Sequence, residues 1–489
     1  MPPAEPPAVQ IERHIAARRW DEALRIADRL CAQDRGSPIG WIGRAKVHHL
    51  RGLQRQALDD IEQALRRGPG IPMALHLRAA IVYRLGRGDE AIEAMQGMLR
   101  DSTSATPGLR LSLAEALERM GRFDALRELF DGGWAWQQDA HAVALHNRLT
   151  AHTDPELAIT RMLEYARGGA PIPLRRMAGF DAIRLLDRLG RYEEAYREAL
   201  ATHRMSSPPF DLASFLRPIH SQSRLLATGG AWCAPRAPTI ERAATIVALP
   251  RSGTTLLEQM LDRHPAITGI GEYEGLRRLG HDIESAIAWP TGLPQLDRAT
   301  AQDLQAAYLS GARATLRAGS SWTFDKTLHA WQWLPAISAL LPGMVCLEIQ
   351  RDPRDTAISI LLSNFNPVSN GWTASLDTIR AVMTAQRDVV GRAIDALDLR
   401  CERIIYEDLV DDPAGHAGRC LERMGLPMVD DVLQPEANRR AVLTLSNAQV
   451  RKPINRGSIG RWQNYAFAFD DSWDELDRAH QERRAGGPR

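Results

Sequence analysis

Alanines 23, 57, 91 and 125 follow one another at a constant separation of 34 residues, in segments beginning at Trp20, Leu53, Gly88 and Phe123. A fixed period of that length describes a chain assembled from copies of one small unit, and it restricts the first half to a repeat architecture. Three of the alanines are preceded by a short turn element, Arg51-Gly52, Leu85-Gly86-Arg87 and Met120-Gly121-Arg122. The pattern returns as LGRYEEA with Ala195, and a weaker copy, PELAI around Ala158, fills the gap. Within the unit PIGWIGRAKVHHLRGLQRQALDDIEQALRRGP, apolar residues recur at helical spacing on both sides of Gly52. Each unit is therefore predicted to be two helices joined by a glycine turn, with the alanines where helices approach closely.

Across residues 8–204 the chain resembles the tetratricopeptide repeats, whose units bury their faces only by stacking into a solenoid. The resemblance implies either a concave surface for a protein or peptide or a packing and oligomerisation arm, and no ligand-specific clamp in the sequence chooses between them. From Met205 to about Ile240 the period fails, and HRMSSPPF, ATGGAW and CAPRAPT read as turns and a linker, 205–240. A second domain is expected over 241–489, since 489 residues exceed the roughly 100 to 200 of one ordinary domain.

Composition narrows the function. A net charge of +1 gives no general basic field for a nucleic acid, so any phosphate must be held by groups arranged at one place. The five cysteines are widely spaced without a C-x-x-C pair, which argues against a zinc site or a redox dithiol and reads as buried thiols in a reducing compartment. With no secretory pattern at the N-terminus and no run of about 18 apolar residues, a cytoplasmic protein without a membrane span is expected. Lysine occurs only at 46, 326 and 452, against 58 arginines, so each lysine marks a place where arginine was not used.

The second half opens with TIVALPRSGTTLLEQMLDRHP from Thr245, a short apolar run leading through a tight loop into a segment whose Leu256, Leu257, Met260 and Leu261 share a helical face. Strand, loop, helix is the predicted order. Gly253 lets the backbone pass close to a ligand, Ser252, Thr254 and Thr255 bring hydroxyls, and the free amides of a helix start favour an anion. The loop is not G-x-x-x-x-G-K-[ST]; Arg251 stands ahead of the glycine in place of a lysine behind it, which disfavours a nucleotide kinase or ATPase. A second strand is read in MVCLEIQ, followed by a charged turn with Arg351 and a helix with Ser359, both able to reach a second phosphate. ERIIYEDL supplies a third strand ending in Tyr406, and SNAQVRKPINRGSIGRWQNY is a polar loop with Lys452, Arg456, Gly457 and Arg461.

Over about 243–466 these motifs resemble the nucleotide-dependent sulfotransferases, in particular bacterial members with tetratricopeptide repeats and the tyrosylprotein enzymes. The resemblance implies a P-loop-like α/β domain with a central, mostly parallel sheet. It also implies 3′-phosphoadenosine-5′-phosphosulfate as co-substrate, no metal, and an acceptor hydroxyl, with a protein or peptide tyrosine among the candidates. In that family PRSGTT, here Pro250 to Thr255, holds the 5′-phosphosulfate, an arginine and a serine eight residues on, here Arg351 and Ser359, hold the 3′-phosphate, and Tyr406 to Leu409 match a further motif. The glycine-rich C-terminal motif matches in part, with Asn455 in place of its first basic residue, which passes a 3′-phosphate contact to Arg456 or Arg461. By the same resemblance Glu272 is the base, with Glu274 its neighbour and competitor, Lys326 bridges the leaving oxygen and the sulfuryl group, and Ser446 stabilises the transition state. A compact ammonium suits a point contact where a bidentate one would accept arginine. His264 and His329 read as structural, and Trp322, Trp331 and Trp333 as core. The rival to an enzyme is an adaptor whose second domain binds nucleotide without turnover, against which Glu272 and Lys326 both argue.

Overall fold

The computed structural model describes residues 5–17, 19–100, 106–132, 139–438 and 453–486. Among them, thirteen α-helices precede the first strand: α1 (Pro7–Ala16), α2 (Trp20–Gln33), α3 (Ile39–Leu50), α4 (Gln54–Arg67), α5 (Pro72–Arg84), α6 (Gly88–Arg100), α7 (Pro107–Arg119), α8 (Phe123–Asp131), α9 (Ala140–Thr150), α10 (Pro155–Arg167), α11 (Ile172–Arg188), α12 (Tyr192–Ser206) and α13 (Leu212–Leu226). The turn glycines do what their sequence positions require. Gly52, Gly86, Gly121 and Gly190 join α3 to α4, α5 to α6, α7 to α8 and α11 to α12 with φ of 80°, 83°, 70° and 77°. Only a residue without Cβ takes that conformation at no steric cost, so each glycine ends one helix and starts its partner within three residues. Ala23, Ala57, Ala91, Ala158 and Ala195 are fully buried, while Ala125 is partly buried.

The chain divides into two compact units, residues 1–158 and, among the described residues, 159–438 with 453–486; the division falls inside α10. In the first unit the core is a succession of small clusters, around Ile11 and Ala27, then Ile42 and Ile61, then Leu113 and Phe130. Each cluster joins neighbouring helices, as expected where each hairpin buries its apolar face against the next.

Among the described residues the second unit is built on five strands: β1 (Ala243–Val247), β2 (Ile267–Gly271), β3 (Trp322–Asp325), β4 (Val345–Gln350) and β5 (Arg400–Ile405). They form one sheet in the order β2-β3-β1-β4-β5, with every neighbouring pair parallel. The helices between and after them are α14 (Thr254–Asp262), α15 (Gly275–Ala286), α16 (Arg298–Arg313), α17 (Leu334–Leu340), α18 (Pro353–Leu361), α19 (Leu376–Ala396), α20 (Tyr406–Asp411), α21 (Pro413–Met424) and α22 (Asp474–Ala485). β1 and β4 are buried along their whole length, the pattern of a parallel sheet covered on both faces. Gly269 and Gly271, which in sequence alone have the look of a turn before Glu272, lie in β2, where the register with β3 shifts between them. Such an irregularity bends the end of a strand and re-aims the residues beyond it.

Two further differences from the sequence reading concern helices. The stretch read as a linker contains α13, which is capped by Asp211 and runs through Pro218 with Leu216, Ile219 and Leu226 buried. The proline hid the helix, because a proline inside an apolar pattern normally signals its end. And α11 and α12 belong to the compact unit of the sheet. Arg176 of α11 donates to Asn364 Oδ1 at 2.8 Å and to the Phe365 carbonyl at 3.0 Å, and His203 Nε2 of α12 donates to the Leu361 carbonyl at 2.9 Å. Burial pushes the His203 imidazole down to about 4, so it packs there neutral. No described helix is long and apolar enough to cross a membrane.

Candidate active site

Each of the five strands delivers a predicted site group at its carboxyl end, and because all five are parallel those ends lie along one edge. The crevice outside that edge is where open parallel sheets take ligands. Glu272 follows β2, Lys326 follows β3, the loop from Pro250 to Gly253 follows β1, Arg351 follows β4 and Tyr406 follows β5.

The central loop is conformationally exceptional. Arg251 has φ of 71° and Gly253 φ of 93°, and α14 begins at Thr254 behind Gly253, an N-cap residue that brings no side chain of its own to cap the helix. A non-glycine residue held in the left-handed region is strained, and such strain is kept where surrounding structure imposes it. Gly253 is also sterically required, since a Cβ there would lie 2.2 Å from Tyr406 Cδ2. Ser252, Thr254 and Thr255 are buried within this turn.

Arginines close the loop from the β4 side. Arg251 Nε donates to Ser359 Oγ at 2.9 Å, and Arg351 Nη1 donates to the Arg251 carbonyl at 3.1 Å. Arg351 stacks over the Tyr406 ring at 5.1 Å, donates to the Ser458 carbonyl, and has a buried Nε with no hydrogen-bond partner. Burial first, then Arg351, Arg461 and Arg184, push the Arg251 guanidinium down to about 10. That is the signature of positive charges gathered where an anion would relieve them.

On the other side, Lys326 is fully buried except for 1% of its surface, and its Nζ lies 3.0 Å from Glu272 Oε1 and 4.0 Å from Glu258 Oε2. Glu272 is half-exposed and so faces both the ammonium and solvent. Glu274 instead pairs with Arg277 on the surface. Glu258 escaped the sequence reading: it is a buried carboxylate on α14 that accepts the Gly271 amide at 3.1 Å, linking the phosphate-loop helix to the end of β2. Its signal was available, a lone carboxylate between apolar positions 257 and 260 of a short helix.

The C-terminal loop is positioned by two further carboxylates absent from the sequence reading. Asp355, with no exposed side chain, accepts the amides of Gly460 and Trp462, both at 2.7 Å. Asp187 of α11 receives Arg461 Nη2 at 2.6 Å on both oxygens and the Tyr465 hydroxyl at 2.7 Å. Burial works to lower the Arg461 pKa, but the Asp187 carboxylate keeps it raised. Arg456 pairs with Asp411 at 2.7 Å on the surface, and the Gly457 amide is held by Asn455. Ser446 and Lys452 lie outside the described residues. His264 hydrogen-bonds the Pro427 carbonyl, Trp322 and Trp331 are buried, and Trp333 packs on Trp289. His329 lies nearer the site: burial and then Arg277 lower its pKa, while Glu272 opposes them. Among the described residues no three His, Cys, Asp or Glu side chains are grouped to hold a metal ion.

Residues 244–431 match the family described as the sulfotransferase family. This stretch is a sulfotransferase-family domain. An uncharacterized protein of Aquifex aeolicus (strain VF5) is 22% identical over 441 residues, 86% of this chain and 57% of that protein. Protein-tyrosine sulfotransferase A of Caenorhabditis elegans is 26% identical over 246 residues, 44% of this chain and 60% of that protein. The chain thus spans less than two thirds of the length of either relative. Among solved structures, the sulfotransferase domain of the Synechococcus PCC 7002 olefin synthase aligns with 48% of this chain and 97% of its own, at 18% identity and a TM-score of 0.33. The matched sulfotransferase segment contains the phosphate loop, Glu272, Lys326, Arg351 and Tyr406, and stops short of the C-terminal loop.

Proposed function

We propose that the protein transfers a sulfuryl group from 3′-phosphoadenosine-5′-phosphosulfate to an acceptor hydroxyl, with Glu272 as base and Lys326 as the electrophilic cation. The observation that carries the reading is the pairing at one sheet edge of an arginine-lined helix start behind a left-handed glycine with a buried ammonium 3.0 Å from a half-exposed carboxylate. The donor's anionic groups fit the first feature: the amides opening α14, the guanidiniums of Arg251 and Arg351, and the Ser359 hydroxyl would hold them. When bound, the donor supplies a sulfuryl group on a phosphate leaving group.

Glu272, open to solvent, would take the proton of the incoming hydroxyl as the new O–S bond forms and the S–O bond to phosphate breaks. The Lys326 ammonium would face the oxygen on which charge then develops, and its burial strengthens that interaction. Arg456 or Arg461 is proposed as a 3′-phosphate contact, Lys452 as a further donor-binding group and Ser446 as a stabiliser of the transition state. The proposed plan is repeats over residues 8–204, of which the last hairpin packs with the catalytic unit, a connecting stretch to 240 that contains α13, and the catalytic domain to 489, in a cytoplasmic protein whose repeats hold a protein or peptide acceptor.

Radiosulfur transfer from labelled donor to fractionated protein, glycan, lipid and small-molecule pools tests the reaction, with Glu272→Ala as control. Label in one pool with the intact chain alone supports it and identifies the acceptor class. Donor binding without label in any pool favours the adaptor.

A further inference from the structure

Beneath the Lys326–Glu272 pair lies a carboxyl that neither proposed role uses. Asp325, the last residue of β3, has no exposed surface. Its Oδ1 accepts the Thr327 amide at 2.8 Å and lies 2.6 Å from Thr327 Oγ1, and its Oδ2 accepts the Tyr308 hydroxyl of α16 at 3.1 Å. Thr327 Oγ1 in turn lies 2.7 Å from the Tyr273 carbonyl.

Counting protons decides what this cluster is. A hydroxyl has one proton, and a carbonyl oxygen can only accept. The Thr327 hydroxyl, within reach of both the Tyr273 carbonyl and Asp325 Oδ1, has one proton for two acceptors, and a proton on the carboxyl satisfies both contacts. A neutral Asp325 gives each of the four contacts one proton. An ionised one leaves Thr327 a single proton for two acceptors. The surroundings agree: complete burial raises the Asp325 pKa to about 7, with Glu258 of α14 adding to the effect and the bonds from Thr327 and Tyr308 opposing it.

The connections run through neighbouring strand ends. Tyr273 directly follows Glu272, Asp325 directly precedes Lys326, and the Lys326 amide donates to the Gly271 carbonyl at 2.9 Å. We propose that a protonated Asp325, acting through Thr327, is a positioning residue that ties the strand end bearing Glu272 to the one bearing Lys326 and so fixes the carboxylate and ammonium relative to each other. The catalytic consequence rests on the function proposed above; the protonated cluster itself does not.

The test uses the full chain. Infrared difference spectra between wild type and Asp325→Asn should show the C=O band of a protonated carboxyl in the wild type alone, at and below neutral pH. Its absence overturns the proposal. Thr327→Val should raise amide exchange at Lys326 and Thr327 and lower kcat by roughly 10- to 100-fold, because a small misplacement of reacting groups is expensive. The donor KM should change by no more than about threefold, and Thr327→Ser should restore both exchange and kcat. Unchanged exchange in the valine variant, an equal loss in the serine variant, or a loss confined to thermal stability overturns the positioning role. If the wild type turns over no acceptor, the proposed function fails, while the infrared and exchange measurements still decide the cluster.

Discussion

The two halves of the sheet's carboxyl edge handle charge in opposite ways. On the β1, β4 and β5 side, Arg251 is crowded by further arginines and hydrogen-bonds a neutral hydroxyl. On the β2 and β3 side, a single ammonium lies between two carboxylates. The first half gathers guanidiniums, with Arg351 3.4 Å from Asp355 and Arg461 held by Asp187, whereas the second sets two carboxylates around one ammonium and keeps Glu272 within reach of solvent. A group that must hold a fixed polyanion wants rigid, permanently charged forks, while a group that moves a proton wants a partner that can give way. The contrast also suits a lysine at 326 in a chain with only three lysines against 58 arginines.

Substitutions on the two sides should separate accordingly. The largest effect is expected for Lys326→Met, which should lower kcat by about 100- to 1000-fold with donor affinity little changed, measured by single-turnover kinetics beside titration calorimetry. A loss confined to donor binding would break the division. Glu272→Ala should cost about 100-fold in kcat, again without loss of donor affinity, and an unchanged rate would move the base elsewhere. Arg351→Ala should act the other way, weakening donor binding by roughly 10- to 100-fold while kcat at saturation stays within a few-fold, since a charge-assisted hydrogen bond is worth about 1.5–3 kcal/mol.

Smaller effects sharpen the same picture. Gly253→Ala puts a methyl into the Tyr406 ring at a left-handed residue, and thermal unfolding should show a loss of about 1–3 kcal/mol. The smallest expected effect is a pH dependence on the lysine side. Because the Asp325 pKa is raised from 3.8 to about 7, its folded form holds the proton more tightly than the unfolded chain. Its contribution to stability is thus full below the lower value and is lost as pH climbs through the upper one. Melting temperatures across that window should fall less steeply in Asp325→Asn.

How much of this could be read in advance depends on how local the cause is. The 34-residue period, its glycine turns and the buried alanines are set within one unit, and Gly52 or Ala57 announces itself without knowledge of the rest. The strand, loop and helix around Gly253 are equally local. β2 was hidden because ITGIG has the glycines of a turn, and its pairing with β3 makes it a strand. Tyr406 was read as the end of a strand and is instead the first residue of α20, one step past β5. Glu258, Asp325 and Asp355 were passed over because a carboxylate in sequence does not reveal whether burial and amide donors await it. Arg461 was assigned to an anion, yet Asp187, 274 residues away, already holds it.

That last contact has a consequence for inheritance. A gene fragment beginning where the helical period ends would carry the strands and every motif of the sulfotransferase domain, but would leave behind the partner of Arg461 and Tyr465, together with Arg176 and its bonds to Asn364 and Phe365 in the segment after α18. A recombination event that moved the catalytic half to a new host would have to cross ahead of Ile172, taking the final helical hairpin as passenger.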